Sequence, residues 1–344
     1  MPSNVPPRDK RVIMLGAGAS SAFRLPNTPS LLNEVLRFSR TPAGQWLADE
    51  RLEDRLSNAF RFFYPDAGVP GFQPDVVDFF SALRTFMDIG SGLAGTGFDD
   101  ARELFRLLKR AIAHVLINAA RQLDADRFRD SEFLRDVVQP GNIIVTSNWD
   151  TLIERFAAVH DIPLRLTSRN RHFTDTEVTL LKLHGSLDWC QVQARVSGYH
   201  DSQYANLSEL DHPTNRSYTM RLPNESDALV RVRWDLGDTW QRVKARSREP
   251  WMVTMVTGKQ DDLGPLQDIW RDAYRALSRA RDLEIVGYSM PADDVEIRTI
   301  LRAGVQRGNQ TPRITVRNPA PDVHHRVRNF LERSADSDYM PVAL

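Results

Sequence analysis

The sequence is poor in cysteine, with Cys190 as its only cysteine among 344 residues. A single thiol cannot form an internal disulfide, and it leaves no cysteine cluster that could hold a structural zinc ion. We therefore predict a protein without a zinc site of this kind and expect its function to require no metal ion.

Long apolar runs and an excess of charge of one sign are also lacking. No segment approaches the roughly 18 apolar residues that a membrane-spanning helix requires. The 45 basic and 45 acidic residues balance to a formal net charge of zero, so nothing indicates a broad nucleic-acid-binding or membrane-binding surface. Residues 1–10 contain prolines and no apolar core, unlike a signal peptide. These features predict a cytoplasmic protein.

Short apolar runs of strand length alternate with helical patterns along much of the chain. The predicted strands cover 11–15, 143–145, 164–166, 179–183, 251–256, 283–286 and 313–316. Helical patterns follow several of them, at 151–159, 265–281, 295–303 and 322–333. This alternation, with the unusual residues at the strand ends, is typical of an α/β protein with a doubly wound, Rossmann-like parallel sheet.

Two segments interrupt the alternation. Residues 44–140 have helical spacing, and residues 198–226 are rich in Asn, Ser, Asp and Pro, which is typical of a long loop. We therefore predict a discontinuous core (11–43, 141–190 and 250–335), a helical insertion (44–140), a loop-rich insertion near the site (191–249), a disordered N-terminal tail (1–10) and a C-terminal tail (336–344).

Glycine-rich or polar motifs follow three of the predicted strands. They are Gly16-Ala17-Gly18-Ala19-Ser20, Thr146-Ser147-Asn148-Trp149-Asp150 and His184-Gly185. The carboxyl ends of parallel strands meet at one edge of a sheet, where open α/β sheets bind ligands, so we expect the three motifs to converge on one pocket. The two glycines of the first motif would let the backbone turn tightly and approach a pyrophosphate closely.

Each motif also has a purely structural interpretation. A Gly-x-Gly pair can be a tight turn from strand to helix, Asn148 and Asp150 can cap the helix that follows them, and His184 can make only a structural hydrogen bond. An ordinary dehydrogenase is disfavoured, because Ser21 occupies the position of the third fingerprint glycine and no acidic strand end follows at the expected distance.

Together, and in this order, the motifs resemble those of the sirtuin family. The glycine-rich motif resembles its first phosphate loop, Thr146-x-Asn148-x-Asp150 matches its Thr-x-Asn-x-Asp motif, and His184-Gly185 matches its catalytic His-Gly. Further along the chain, Gly287-Tyr288-Ser289 resembles the Gly-Thr-Ser step that contacts phosphate and ribose, and Asn318 the strand-end asparagine near the adenosine. The resemblance covers the predicted core and neither insertion.

Two departures distinguish the sequence from sirtuin deacylases. Those enzymes hold zinc with two cysteine pairs, which a chain with one cysteine cannot supply. They also have Gly-Ile-Pro-Asp-Phe-Arg after the first loop, where this sequence has Arg24-Leu25-Pro26-Asn27-Thr28-Pro29. The pattern is more similar to the zinc-free, sirtuin-like proteins of bacterial defence systems, which hydrolyse NAD.

The resemblance implies an NAD glycohydrolase that releases nicotinamide and ADP-ribose as the effector of an anti-phage defence system. Asn148, His184 and Asp150 would be catalytic, and NAD would contact Gly16, Ala17, Gly18, Ser20, Thr146, Gly287, Ser289 and Asn318. The alternatives are an NAD-dependent deacylase, an ADP-ribosyltransferase, and a non-catalytic subunit that senses NAD or ADP-ribose. We also expect a homo-oligomer and a partner such as a HerA-like ATPase or another defence-system subunit.

Overall fold

A computed structural model describes residues 9–72, 74–90, 98–166, 173–193, 220–221, 227–231, 250–254, 263, 266–307 and 311–331. The chain divides into two compact units, the first comprising Met1–Asn27, Ala119–His184 and Leu266–Leu344, and the second Thr28–Asn118 and Gly185–Pro265. The predicted tail at 336–344, most of the tail at 1–10 and most of the 191–249 insertion lie outside the described residues.

The described part of the first unit contains a six-stranded parallel sheet. With strands numbered in chain order, its members are β1 (Lys10–Leu15), β2 (Ile143–Thr146), β3 (Leu164–Arg165), β4 (Val178–Lys182), β9 (Ala280–Val286) and β10 (Arg313–Arg317). They lie in the order β10-β9-β1-β2-β4-β3. The central strands are buried on both faces, which explains why they are near-continuous apolar runs.

Helices of the first unit connect these strands. They are α1 (Ala17–Ser21), α7 (Ala125–Arg129), α8 (Glu132–Val137), α9 (Leu152–Val159), α10 (Gln267–Arg279), α11 (Val295–Gln306) and α12 (Pro321–Leu331). The crossovers β1 to β2 and β4 to β9 run in opposite directions along the sheet, so right-handed connections place them on opposite faces. In agreement, α7 contacts α9, and α10 contacts α11. The predicted doubly wound α/β class is confirmed.

The strand order also locates the ligand-binding edge. From β1 the chain proceeds within the sheet to β2, whereas from the adjacent β9 it proceeds to β10 on the other side. The connections after β1 and β9 therefore leave in opposite directions, which defines the topological switch point where open α/β sheets form a crevice. Gly16 follows β1 and Gly287 follows β9, so both lie at this point.

The second unit combines helices with an antiparallel sheet. Its helices are α2 (Leu31–Ser39), α3 (Gln45–Asp49), α4 (Leu52–Phe63), α5 (Val76–Asp88) and most of α6 (Phe98–Arg121), and they include part of the predicted helical insertion. Aromatic side chains pack between α4 and α5, where the ring centroids of Phe60 and Phe79 lie 4.8 Å apart. The longest described helix, α6, has 24 residues, and no described helix is long and apolar enough to cross a membrane.

The sheet of the second unit corrects one expectation. Its strands are β5 (Gly185–Gln193), β6 (Met220–Arg221), β7 (Asp227–Arg231) and β8 (Pro250–Met252), in the order β6-β7-β5-β8. The sequence assigns 251–256 to a strand of the parallel core, yet β8 pairs antiparallel with β5. An apolar run reveals that a strand is buried but not which sheet it joins.

A network of ion pairs links neighbouring elements of the first unit. Arg11 of β1 pairs with Asp136 of α8 at 2.7 Å and with Glu284 of β9 at 2.8 Å. Arg317 of β10 also pairs with Glu284. Hydrogen bonds from the Arg11 guanidinium hold the pKa of the Asp136 carboxyl below its ordinary value. Arg11 therefore joins β1 to both β9 and α8.

Replacing Arg11 by methionine is expected to destabilise the protein at neutral pH and to matter little in acid. Because the folded-state pKa of Asp136 is depressed, its pairing contributes stability above the unfolded pKa of about 3.9, and this contribution is lost as the pH falls through the folded pKa. The Asp136 side chain is 40% exposed, so solvent screening limits the effect to about 1 kcal/mol. Melting curves from neutral pH to about pH 3 would test this, and a constant gap between parent and variant would contradict it.

Candidate functional site

Thr146 fixes the point at which β2 ends. Its hydroxyl donates a hydrogen bond to the Leu15 carbonyl of β1 at 3.0 Å and accepts one from the Asn148 backbone N–H at 3.0 Å. The side chain is buried, so both contacts are made away from solvent. Thr146 thereby ties the 147–151 loop, which joins β2 to α9, to the end of the adjacent strand.

The Asn148 side chain joins this loop to the motif after β1. Its amide nitrogen donates to the Gly16 carbonyl and to Ser20 Oγ, each at 2.9 Å. Because a carbonyl can only accept, the contact with Gly16 establishes which side-chain atom is nitrogen. Both amide hydrogens are therefore used within the protein, and Oδ1 is the part of this half-buried side chain suited to accepting a hydrogen bond from a ligand.

Asp150 is bound from two directions. Its Oδ2 accepts a 2.6 Å hydrogen bond from the Ser20 hydroxyl, and its Oδ1 accepts a 3.1 Å bond from the Leu152 N–H at the start of α9. The capping interpretation of the sequence thus applies in part to Asp150, whereas Asn148 binds the β1 side of the site instead. The only hydroxyl proton of Ser20 is directed to Asp150, so Ser20 supports the carboxylate.

The glycines at the switch point permit two loops to pack directly against each other. The Gly16 N–H donates to the Val286 carbonyl at 3.0 Å, and the Gly18 N–H to the Gly287 carbonyl at 2.9 Å. A Cβ on Gly16 would lie 2.5 Å from the Tyr288 Cα, and Gly287 has a positive φ of 60°. Backbone packing alone therefore requires small residues here, in addition to any close approach by a ligand.

Ala17 lies between the two glycines and opens helix α1. The amide of a first helical residue has no acceptor within its own helix. The sequence suggests the backbone N–H groups of Gly16, Ala17 and Gly18 as donors for a pyrophosphate. Gly16 and Gly18 donate to the carbonyls of the last residue of β9 and of the residue after it, so Ala17 is the remaining donor at this turn.

A cleft borders these residues. Its apolar lining includes Leu15, Ala19, Phe23, Phe133, Leu134 and Ile153, and its polar lining consists of Ser20, Thr146, Asn148, Asp150, Glu154 and Lys182. The structure thus brings together the predicted residues that follow β1 and β2.

His184 is fully buried and does not belong to the lining of this cleft. Its ring lies 6.4 Å from the Trp270 ring of α10, and its Nε2 lies 3.7 Å from Asp294 Oδ1. Tyr288 donates a 3.0 Å hydrogen bond to the other oxygen of Asp294. Burial and the Asp294 charge raise the pKa of Tyr288, so its hydroxyl stays protonated and remains a donor.

The two remaining predicted contacts lie at the ends of β9 and β10. Ser289 is exposed, and its carbonyl accepts a 2.7 Å hydrogen bond from Arg326. Asn318 Oδ1 accepts a 3.0 Å bond from the Ala320 N–H, which forms a turn before α12. Because the Gly287 N–H donates to the Arg317 carbonyl, Ser289 and Asn318 follow neighbouring strand ends.

Four buried charged or polar residues near the site were missed by sequence reasoning as functional candidates. They are Lys182, Glu154, Tyr288 and Asp294. Lys182 carried a usable signal, because a lysine within the otherwise apolar run of β4 must have a partner in the interior. Among the described residues, no group of three or more His, Cys, Asp or Glu side chains is arranged to hold a metal ion.

No family model and no curated protein matches the sequence significantly. Among solved structures the chain is similar to Sir2 proteins. A Sir2 enzyme studied for mechanism and regulation is 14% identical with a TM-score of 0.34, over 91% of this chain and 80% of the other. A Sir2 homologue in complex with NAD is 15% identical with a TM-score of 0.30, over 96% of this chain and 82% of the other. At these TM-scores the likeness carries no argument about activity.

Proposed function

We propose that the protein is an NAD glycohydrolase, which transfers the ADP-ribosyl group of NAD to water and releases nicotinamide. The observation that carries the proposal is the Asn148 side chain. Its two amide hydrogens are bound to Gly16 and Ser20, which leaves Oδ1 as an oriented acceptor beside the cleft. An acceptor in that position can hold a ribose hydroxyl or the attacking water.

The chemistry suits a site of this composition. The bond between ribose C1′ and the nicotinamide nitrogen breaks, its electron pair leaves with nicotinamide, and a water oxygen bonds to C1′ and loses a proton. The transition state resembles an oxocarbenium ion, as in glycoside hydrolysis. Because the pyridinium leaving group is already cationic, the reaction needs no strong general acid, and negative charge near the ribose is favourable.

The Asp150 carboxylate supplies negative charge beside Asn148. Ser20 and the Leu152 N–H each donate to one of its oxygens, which holds the carboxylate in place while the remaining lone pairs can accept from the nicotinamide carboxamide. The apolar part of the cleft, which includes Phe23 and Ile153, suits the flat face of the released ring.

His184 is the proposed proton acceptor for the water or for a ribose hydroxyl. The Asp294 carboxylate, 3.7 Å from its Nε2, is placed to stabilise the imidazolium that forms. Since His184 is fully buried, substrate binding must bring the reacting proton to it through a bound hydroxyl or water. The pyrophosphate would lie at the Gly16–Ser20 motif, and the adenosine near Ser289 and Asn318.

Hydrolysis is preferred over deacylation on the grounds of the sequence. The paired cysteines of zinc-bearing deacylases cannot be present, and the segment after the first motif departs from theirs. The resemblance of the sequence motifs to the zinc-free, sirtuin-like proteins of bacterial defence systems supports a role as the NAD-depleting effector of an anti-phage system. An unrestrained enzyme of this type would drain its own host, so we expect its activity to depend on self-association or on a partner such as an ATPase.

Incubation of the purified protein with NAD in ¹⁸O-water is expected to yield equal amounts of nicotinamide and ADP-ribose, with one solvent oxygen on the ribose. The reaction should be followed over a range of protein concentrations, because assembly is expected to control it. Nicotinamide release that requires a protein acceptor, which then gains the mass of ADP-ribose, would instead indicate transfer. Binding of NAD without nicotinamide release at any concentration would contradict hydrolysis and favour a sensing subunit.

A further inference from the structure

Lys182 and Glu154 form a buried ion pair at the cleft. Lys182 is the last residue of β4, and Glu154 lies in the first turn of α9. The Lys182 ammonium lies 2.9 Å from Glu154 Oε1, and the exposed fractions of the two side chains are 1% and 2%. Both line the cleft beside Asn148 and Asp150.

The ammonium group makes contacts beyond the ion pair. Lys182 Nζ donates to the Asp150 carbonyl at 2.5 Å and approaches the Trp149 carbonyl at 3.4 Å. A lysine has three N–H donors, so one ammonium group can serve the ion pair and both backbone carbonyls. Two of the three acceptors belong to the backbone of the 147–151 loop.

We propose that Lys182 is a positioning residue that holds the backbone of the 147–151 loop so that Asn148 and Asp150 keep their place at the cleft, an inference that rests on the proposed hydrolase function. Thr146 fixes the start of the loop, and Asn148 and Asp150 bind it to the β1 side. Lys182 fixes the carbonyls of Trp149 and Asp150 from β4, so the loop is held from both neighbouring strands.

A role in stability alone is the competing interpretation. Replacing Lys182 by methionine would leave Glu154 as an uncompensated buried charge and is expected to lower the melting temperature by about 10 °C. The double variant Lys182→Met/Glu154→Leu removes both charges and replaces them with apolar groups, a change that is often neutral for stability. The double variant therefore removes the loop contacts without leaving an uncompensated charge on Glu154.

The double variant is expected to melt close to the parent and yet to lose turnover about 10²-fold per folded molecule, because a shift of about 1 Å in a catalytic group has effects of this size. The Michaelis constant for NAD should change little, since the proposed pyrophosphate and adenosine contacts lie on other loops. Arg11→Met is the matched control, because it removes another ion-paired side chain of the first unit and should leave turnover per folded molecule unchanged.

Hydrogen–deuterium exchange provides a readout that does not depend on activity. In the double variant, the amides of the 147–151 loop should exchange faster while the strands of the parallel sheet remain protected. Unchanged exchange in this loop would overturn the positioning role whether or not the parent hydrolyses NAD. Faster exchange with parental turnover in a stable double variant would also overturn it. If the unmodified protein releases no nicotinamide from NAD, that result would contradict the proposed hydrolase function but not the role of Lys182 in holding the loop.

Discussion

Replacing Asn148 by alanine is expected to lower the rate of nicotinamide release about 10²–10⁴-fold, the range typical for removing a group that positions a proton transfer. The loss follows from the removal of Oδ1, the oriented acceptor beside the cleft. NAD affinity should fall far less, because the proposed adenosine and pyrophosphate contacts lie at Ser289, Asn318 and the Gly16–Ser20 motif. Turnover per folded molecule and NAD affinity, measured with a melting curve, would test both expectations.

The matched control for Asn148 is Asp124→Ala. Asp124 caps helix α7 of the same unit by accepting hydrogen bonds from the N–H groups of Asp126 and Arg127. Its loss should cost about 0.5–2 kcal/mol of stability, like the loss of other helix caps, and leave turnover unchanged. If Asn148→Ala behaves in the same way, Asn148 is a structural residue.

His184→Ala is expected to produce a loss of turnover as large as that of Asn148→Ala. Because His184 is fully buried, its removal also leaves a cavity, and the variant should melt at a lower temperature. Rates must therefore be compared at a temperature at which both proteins are folded. If the His184→Ala protein hydrolyses NAD at the parental rate, the proposed mechanism, in which His184 accepts a proton, is wrong.

The parallel sheet was readable from the sequence because of its burial. Strands covered on both faces contain few polar residues, so β1, β2 and β4 each stand out as apolar runs within a few residues of their observed bounds. The antiparallel sheet of the second unit was not foreseen. Of its described strands, β6 lies within the 198–226 segment, whose composition is typical of a loop, and pairing between strands distant in sequence leaves no local pattern.

The proximity of the first two motifs was foreseen for a topological reason, whereas His184, the third, does not line their cleft. Strand ends of one parallel sheet must meet at one edge, so proximity of Gly16, Ser20, Asn148 and Asp150 followed from the motif positions alone. The partners of individual atoms did not follow. Lys182 and Glu154 lie 28 residues apart and on different elements, and no spacing rule connects such a pair.

Replacing Gly287 by alanine is expected to destabilise the first unit by about 2–5 kcal/mol, the sum of a left-handed backbone conformation and of overpacking. The φ of Gly287 is 60°, and an added Cβ would lie 2.1 Å from the Ala19 nitrogen, a backbone atom that cannot easily move.

Gly16→Ala has no such conformational cost, but its Cβ would lie 2.5 Å from the Tyr288 Cα. We expect it to lose about 1–3 kcal/mol through overpacking alone.

Gly141→Ala serves as the control for backbone strain within the same unit. Its φ is 90°, and an added Cβ would meet its nearest atom, the Asp175 Cα, at an ordinary 3.6 Å. In denaturant melts, Gly141→Ala thus measures the cost of backbone strain alone, Gly16→Ala the cost of overpacking alone, and Gly287→Ala the cost of both together.

The affinity for NAD per folded molecule, measured in parallel, shows whether Gly16 also contributes to ligand binding. If Gly16→Ala melts like the parent but binds NAD more weakly, the glycine is needed for the pyrophosphate rather than for the contact with Tyr288. If Gly287→Ala melts no lower than Gly141→Ala, the loops that follow β1 and β9 do not pack directly against each other as described.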